Sequence, residues 1–288
     1  MEYFKRFLKK TYNIRKFLDL WPVIIIGAFV LAAIFAGIIS PHDPAKNELS
    51  DMFLAPIWSE DGSSTYILGT DHLGRDILSR IIHGARISLG LALITILISA
   101  SFGSFLGLLA GFRGGLTETI IMRLVDIILA LPVFLIAIVV AATLGPSLGN
   151  VMGIIALLLW PYFARQLRGE TLGLRHAQFV EAAASIGASN TRIMFRHILP
   201  NLLPSIIIFS TLQVNLVIVI EASLSFLGIG IPPPASSWGR MVSDGLNNVY
   251  IAWWAAAIPG IVISIVVLSI AFLGDTLRDR LDPVLRGR

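Results

Sequence analysis

Cysteine is absent from the sequence, and charged residues are scarce. The 288 residues include no Cys, and Asp, Glu, Lys and Arg together make up only 14%. The lack of cysteine excludes disulfides and thiolate metal sites. The shortage of charge argues against a soluble domain, in which about a quarter of residues are charged. Instead, 56% of the chain is hydrophobic and its mean hydropathy is +0.81, so composition predicts a membrane protein.

The sequence also lacks the motifs of an ATPase or a metalloprotease. A nucleotide-binding P-loop needs a Gly-Lys pair followed by Ser or Thr, and none of the lysines follows a glycine. No two histidines are four residues apart, which excludes the HExxH zinc motif. We therefore predict no catalytic residue and no metal site. Nickel ligation by His72 or His83 stays open, although a solvated role is favoured.

What the sequence has is long apolar blocks. A helix of about 20 apolar residues crosses a bilayer core of roughly 30 Å. Six blocks approach this length, which predicts an all-α membrane protein with six transmembrane helices. The blocks are 21–40, 88–112, 127–145, 151–162, 202–230 and 252–274. The first is longer than the apolar core of about 7 to 15 residues that is usual in a signal peptide.

The distribution of basic residues predicts the topology. Lys and Arg accumulate in cytoplasmic loops, and with the N-terminus inside, 17 of the 22 basic residues lie in cytoplasmic segments. Both termini are then cytoplasmic. The chain divides into a basic arm (1–20), a first transmembrane helix (21–40), an extracytoplasmic loop with an interfacial helix (41–87), a core (88–274) and a cytoplasmic tail (275–288). Within the core, a cytoplasmic loop occupies about 165–201.

That loop contains the polar stretch EAAASIGASNTRIMFRHILPN, residues 181–201. Its Ala- and Glu-rich start predicts a helix, which Gly187 would end. Ser189 or Asn190 would cap a second helix, and Pro200 would end it. Small residues such as Ala182, Ala183 and Ala184 would let a partner surface approach closely, as in helix-in-groove docking. The alternative is an ordinary structured loop.

The same stretch resembles the EAA loop of ABC importer permeases. The matching positions are Glu181, Ala182, Ala183, Gly187, Leu199 and Pro200. His197 stands where an aliphatic residue is frequent in importers generally, although RHILPN is similar to the form found in the peptide and nickel branch. The resemblance implies that this loop couples the permease to an ATPase. The coupling residues expected from it are Glu181, Ala182, Ala183, Gly187, Ser189, Arg192 and His197.

Three further stretches resemble the C-type permease of dipeptide, oligopeptide and nickel importers. They are GTDHLGRDILSRIIHGARISL (69–89), EASLSFLGIGIPPPASSWGRM (221–241) and GDTLRDRLDP (274–283). The first also predicts an interfacial helix that turns into the second span. Its apolar face would comprise Ile77, Leu78, Ile81, Ile82, Ala85 and Leu89, with Ser79, Arg80, His83 and Arg86 elsewhere.

The resemblance implies a five-helix type I importer core preceded by one N-terminal helix. It also implies the partners: a homologous B-type permease, two ATPase subunits, an extracytoplasmic solute-binding protein and membrane lipid, with no nucleic acid. ATP and Mg would bind the ATPases, so no cofactor is expected in this chain. The location implied is a bacterial or archaeal plasma membrane. Short peptides are the favoured cargo, while nickel chelates and glutathione-like molecules stay open. A secondary transporter is disfavoured because the sequence shows no internal repeat.

Ionisable residues near the spans are the remaining candidates, since lipid makes them costly. Glu221 lies well inside the fifth block, and we expect it in the pathway or at the permease interface. Arg123 and Asp126, three residues apart, are expected to pair with each other. Pro132, Pro161 and Pro259 are expected to kink their spans.

Overall fold

The computed structural model describes residues 20–281, and within this range every regular element is a helix. Residues 1–19 and 282–288, which hold most of the predicted basic arm and half of the predicted tail, lie outside it. The elements are α1 (Leu20–Ile34), α2 (Ala36–Ile39), a 3-10 turn (Leu49–Asp51), α3 (Ile77–Arg113), α4 (Gly115–Ala130), α5 (Val133–Leu144), α6 (Leu148–Arg175), α7 (Gln178–Ser185), α8 (Asn190–Arg192), a π-helical turn (Ile193–Ile198), α9 (Leu199–Phe226), α10 (Trp238–Leu246) and α11 (Trp254–Leu281).

Four continuous helices are long and apolar enough to cross a membrane. They are Ile77–Arg113, Leu148–Arg175, Asn190–Phe226 and Trp254–Arg280. The first two contain the predicted blocks 88–112 and 151–162, and the other two cover most of 202–230 and 252–274, which confirms the helical membrane fold. The fourth predicted block extends well beyond residue 162, because Pro161 is accommodated inside α6. Pro259 likewise lies inside α11.

The predicted span 127–145 is not one helix. α4 and α5 meet at an angle of 86°, and the break lies at Leu131 and Pro132, which are both extended. Proline lacks an N–H and disfavours helical geometry in the residue before it, so a helix ends here. α4 and α5 form one span only if the two helices and the bend between them are counted together.

The first predicted span is also interrupted. α1 has 15 residues by its bounds, and a turn at Phe35 separates it from the four residues of α2. Alone, α1 is shorter than the roughly 20 residues needed to cross a bilayer. The described residues therefore contain four spans, or five with the bent pair, and the sixth stays a prediction.

The predicted interfacial helix and the second span form one uninterrupted helix, α3, of 37 residues. The prediction that the chain turns near residue 88 is wrong. Gly84 lies inside this helix, where its missing side chain makes room for Trp238. A Cβ at Gly84 would lie 2.9 Å from Trp238 Cδ1. Arg80 and Ser79, which were predicted to lie off the buried face, are themselves buried.

The chain forms two compact units, and the division falls within α3 and α9. The first unit comprises the described residues up to 91 together with 214–280. Trp238 is fully buried in it, where its backbone N–H donates to Ser88 Oγ at 3.1 Å and its Nε1 donates to the Ile81 carbonyl at 3.0 Å. α10 is thereby fastened to the start of α3.

In the second unit, residues 92–213, a stripe of glycines brings α3 against α6. A Cβ on Gly103 would lie 2.3 Å from the Trp160 carbonyl oxygen, and one on Gly107 would lie 2.5 Å from that of Ala164. Gly111 continues the stripe one turn later, opposite Thr171. Small residues four apart allow this close backbone contact between membrane helices.

Candidate functional site

The predicted coupling loop consists of two helical segments separated by a glycine turn. α7 ends at Ser185, and Gly187 follows with a φ of +83°. The N–H of Gly187 donates to the Ala184 carbonyl at 3.0 Å, and that of Ala188 donates to the Ala183 carbonyl at 3.1 Å. These two hydrogen bonds define a Schellman cap, which requires a left-handed residue at the position of Gly187. The local prediction is confirmed.

The second segment begins with a side-chain cap. Ser189 Oγ accepts a hydrogen bond from the Arg192 backbone N–H at 3.4 Å, as predicted. The segment does not end at Pro200, however, and this prediction is wrong. The π-helical turn Ile193–Ile198 leads directly into α9, which contains Pro200 in its first turn. The wider π turn before the proline lets the chain remain helical, since its hydrogen-bonding pattern is already shifted.

The loop has its own apolar core, which anchors it to the long helices. From the loop, Val180, Ala183, Ile193, Met194 and Ile198 are buried together with Leu108 of α3, Leu167 of α6 and Leu202 of α9. Loops normally lie on the surface with few buried side chains. This one is packed onto three helices of its unit.

Most of the predicted coupling residues lie on the exposed side of the loop. Glu181, Ala182, Gly187, Ser189 and Arg192 are exposed, and His197 is half-buried. Ala183 is only 5% exposed and faces the core. It therefore packs inside the loop, and its methyl group is not part of the surface offered to a partner.

Two apolar residues that the sequence analysis missed also lie on the exposed side. Ile186 is 86% exposed and Phe179 is 41% exposed. With Ala182 they are spaced three and then four residues apart, which places all three on one helical face. The spacing could have identified this face, but apolar residues in a predicted helix are assigned by default to the core.

Glu221 is buried in the first unit and is hydrogen-bonded within the chain. It is 1% exposed, and its Oε1 accepts from Ser225 Oγ at 2.8 Å and from Ser237 Oγ at 2.6 Å. Ser237 also caps α10 by accepting from the Arg240 N–H at 3.1 Å. Glu221 thus joins α9 to the start of α10. Gly239 permits this contact, because a Cβ there would lie 2.4 Å from Ala222 Cα.

A buried ion cluster, which the sequence analysis missed, connects the segment before α3 with α3 and α10. Asp71 accepts from Arg75 Nε at 2.8 Å and from the Arg80 guanidinium, and both arginines also contact Asp244 of α10. Arg80 Nε donates to Ser236 Oγ at 3.2 Å. Burial alone would raise the pKa of Asp71, but Arg80 and Arg75 outweigh it, and the pKa lies below the usual value.

The predicted pair between Arg123 and Asp126 does not form. Asp126 Oδ1 instead accepts from Arg165 Nη2 of α6 at 2.7 Å, because α4 packs against α6 and brings that guanidinium closer. About two turns earlier on α4, Glu118 accepts from Arg168 Nε at 2.6 Å. These residues line an open cleft of about 380 Å³ between α4 and α6. No group of three or more His, Asp or Glu side chains arranged to hold a metal occurs within residues 20–281.

Known proteins resemble the chain in sequence and in fold. Residues 103–287 match the family described as binding-protein-dependent transport system inner membrane component. The dipeptide transport system permease protein DppC of Haemophilus influenzae is 42% identical over 92% of this chain and 90% of its own. The di/tripeptide transport system permease protein DppC of Pseudomonas aeruginosa is 41% identical over 89% and 85%.

Two further relatives extend the comparison. The glutathione transport system permease protein GsiD of Pectobacterium atrosepticum is 41% identical over 94% of this chain and 90% of its own. A chain of the inward-facing MetNI methionine ABC transporter matches with a TM-score of 0.57 at 19% identity, over 70% of this chain and 96% of its own, and so shares the fold. The chain thus belongs to the binding-protein-dependent transport system inner membrane components, as a permease subunit of the dipeptide and oligopeptide ABC importers.

Proposed function

We propose that this chain is the C-type permease of an importer of short peptides. With a homologous B-type permease it would form the pathway for di- or oligopeptides that a solute-binding protein delivers. Two separate ATPase subunits would bind ATP and Mg, and this chain would carry no cofactor. The similar permeases whose names specify dipeptides and di/tripeptides support this cargo. Glutathione, named for another relative, is the alternative that a specific observation supports, while nothing favours nickel chelates.

We propose that the loop 177–200 docks into a groove of one ATPase, and its exposed apolar face is the observation that carries the proposal. Ile186 projects almost fully into solvent at the end of α7, where it contributes little to folding. Phe179 and Ala182 extend the same face, while Glu181 and Arg192 supply charges beside it. Such a face fits the helix-in-groove mode of recognition.

Coupling then follows from the packing beneath this face. The inner side of the loop is buried against Leu108, Leu167 and Leu202, so displacement of the loop by the ATPases would move α3, α6 and α9. ATP binding would bias a two-state arrangement of these helices, and hydrolysis would reset it. Glu221, which joins α9 to α10, would keep the outer end of α9 attached during this movement.

We propose six spans with both termini in the cytoplasm, so that the chain is a multi-pass protein of the bacterial inner membrane. α1 and α2 would together form the first span, and the bent pair α4 and α5 the third. The loop 177–200 would then be cytoplasmic, and residues 41–76 and α10 would face outward. The archaeal alternative has no support among the relatives named above.

The test is ATP-driven peptide uptake by the complete complex in proteoliposomes. Ile186→Ala should leave the complex folded but weaken its attachment to the ATPases by roughly ten-fold, because a buried aliphatic side chain contributes about 1.5–3 kcal/mol. Uptake should fall in parallel. Ile94→Ala, which truncates an isoleucine exposed on α3, is the matched control. Equal uptake by the wild type and Ile186→Ala would contradict the docking proposal.

A further inference from the structure

α4 carries an exposed arginine that nothing in the described chain neutralises. Arg123 lines the cleft between α4 and α6, but no carboxylate of residues 20–281 lies within ion-pair distance of it. The two acidic residues of the cleft are already paired, Asp126 with Arg165 and Glu118 with Arg168. The cleft therefore holds three guanidinium groups against two carboxylates, and Arg123 is the cation left over.

Beside the cleft, the face of α4 that carries Arg123 is apolar and exposed. Ile120 and Ile127 lie three residues before it and four residues after it, so all three share one face of α4. Ile120 and Ile127 are exposed, as is Leu116 one turn earlier. The exposed apolar surface continues along α5 through Phe134, Leu135 and Ile138. An apolar surface of this kind suits contact with lipid acyl chains. Burying an unpaired cation among those chains has a high free-energy cost.

The bend between α4 and α5 places Arg123 at headgroup depth. The two helices are about 24 Å and 18 Å long and meet at 86°, so both cannot run along the membrane normal. α5 contains no ionisable residue, whereas α4 contains Glu118, Arg123 and Asp126. The uncharged α5 and the end of α4 after Asp126 belong in the hydrocarbon, and the charged part of α4 up to Asp126 belongs at the interface. Under the proposed topology this interface is cytoplasmic, where anionic lipids attract basic residues.

We propose that the cleft between α4 and α6 binds the phosphate-bearing headgroup of an anionic phospholipid, with Arg123 as its main contact. The guanidinium supplies a forked donor that matches two phosphate oxygens. Arg165 and Arg168 balance the negative charges of Asp126 and Glu118 by ion pairing, which reduces the repulsion of the phosphate by these carboxylates. The acyl chains would lie along Leu116, Ile120 and Ile127. This inference rests on the membrane topology of the proposed function but on no feature of the cargo.

The natural absence of cysteine provides the test. Thr119, which lines the cleft and is exposed, is replaced by Cys and labelled with a fluorophore. The complete complex, with cysteine-free partner subunits, is placed in nanodiscs that contain brominated phosphatidylglycerol or brominated phosphatidylcholine. Bromine quenches a fluorophore that it contacts. Arg123→Gln is compared with Arg86→Gln, which removes an exposed arginine of α3 outside the cleft.

We expect the phosphatidylglycerol to be preferred over the phosphatidylcholine by roughly five-fold, the effect of one basic residue beside an anionic headgroup. Arg123→Gln should abolish the preference and Arg86→Gln should retain it. Equal quenching by the two lipids would overturn the proposal. A fluorophore that neither lipid quenches would show that the partner permease covers the cleft, which also overturns it.

Two controls distinguish a bound lipid from a free anion and lipid binding from transport. If inorganic phosphate removed the preference for phosphatidylglycerol, the free anion would be the ligand and the lipid proposal would fail. If phosphate left the preference intact, the headgroup in its membrane is the source. Peptide uptake by the same complex is measured independently, so the absence of a lipid preference would leave the importer function standing. Loss of uptake with the lipid preference intact would count against the importer function and leave the lipid proposal standing.

Discussion

At the scale of single residues, Asp71 balances the charge of the two buried arginines of the first unit, Arg75 and Arg80. Asp71→Asn would leave both of them to share Asp244 with the half-buried Arg240, with uncompensated positive charge in a buried site. Removing one partner of a buried ion pair typically costs about 3–5 kcal/mol. We expect a marked fall in the Tm of the purified complex, measured by differential scanning fluorimetry. Asp61→Asn, at an exposed position on the same segment, should leave the Tm within about a degree of the wild-type value.

The same carboxyl group predicts a dependence of stability on pH. The pKa of Asp71 lies below its usual value of 3.8 in the folded protein, because Arg80 and Arg75 outweigh the effect of burial. Its contribution is therefore complete above about pH 4 and is lost as the pH falls through the lowered pKa. The Tm of the wild type should drop in this acidic window. The corresponding drop should be smaller in Asp71→Asn, and equal slopes for both proteins would contradict the assignment.

Gly187 is a position where the backbone conformation alone determines whether a substitution is tolerated. Its φ of +83° is unfavourable for other residues, although no atom outside its neighbours lies within 4 Å of a Cβ built there. Gly173 of α6 has equally open surroundings and an ordinary φ. Gly173→Ala should therefore be neutral or slightly stabilising. Gly187→Ala should distort the turn and reduce both ATPase attachment and uptake, to be measured by co-purification and transport. Equal behaviour of the two variants would mean that the turn geometry does not matter for coupling.

At the scale of elements, the packing of α3 against α6 depends on missing side chains. Gly107→Ala would place a methyl carbon 2.5 Å from the Ala164 carbonyl oxygen, so the helices must separate. Overpacking of this kind costs about 1–3 kcal/mol, and we expect a lower Tm and a lower yield of assembled complex. Gly153→Ala adds the same methyl group to α6 where nothing lies within 4 Å. A Tm reduced equally by both changes would show that loss of glycine, and not close contact, is responsible.

The elements also show where periodicity was insufficient. For residues 77–89 the pattern placed Ser79 and Arg80 off the apolar face, yet both are buried. Arg80 is buried because Asp71, Ser236 and Asp244 come from other segments to meet it. Ser79 Oγ accepts from the His42 backbone N–H at 3.0 Å, which is 37 residues away in the sequence. A local sequence pattern contains no information about partners that come from distant segments. The pairing of Asp126 with Arg165, 39 residues away, was missed for the same reason.

At the scale of the whole molecule, the proposed topology can be tested directly because the chain contains no native cysteine. Single cysteines at Ser63 and Ser189 should react with a membrane-impermeant maleimide from opposite sides of the membrane. Ser63 lies in the segment predicted to be extracytoplasmic and Ser189 in the exposed coupling loop. Labelling of intact cells should reach Ser63→Cys alone, and inverted vesicles should expose Ser189→Cys. Reaction of both positions from one side would refute the six-span arrangement.

The sequence by itself determined the helical membrane fold, the positions of four long spans and the two helical segments of the loop 177–200. These features depend on composition, on block length and on local rules such as the left-handed cap at Gly187, so nearby residues suffice to predict them. The tertiary structure alone decided which side of each helix is buried and which charges meet. It turned Ala183 inward and left Ile186 exposed. It also surrounded Arg80 with partners and left Arg123 without an ion-pair partner among residues 20–281. The physical reason is that helix periodicity defines a face, whereas neutralisation and burial depend on residues that only folding brings into contact.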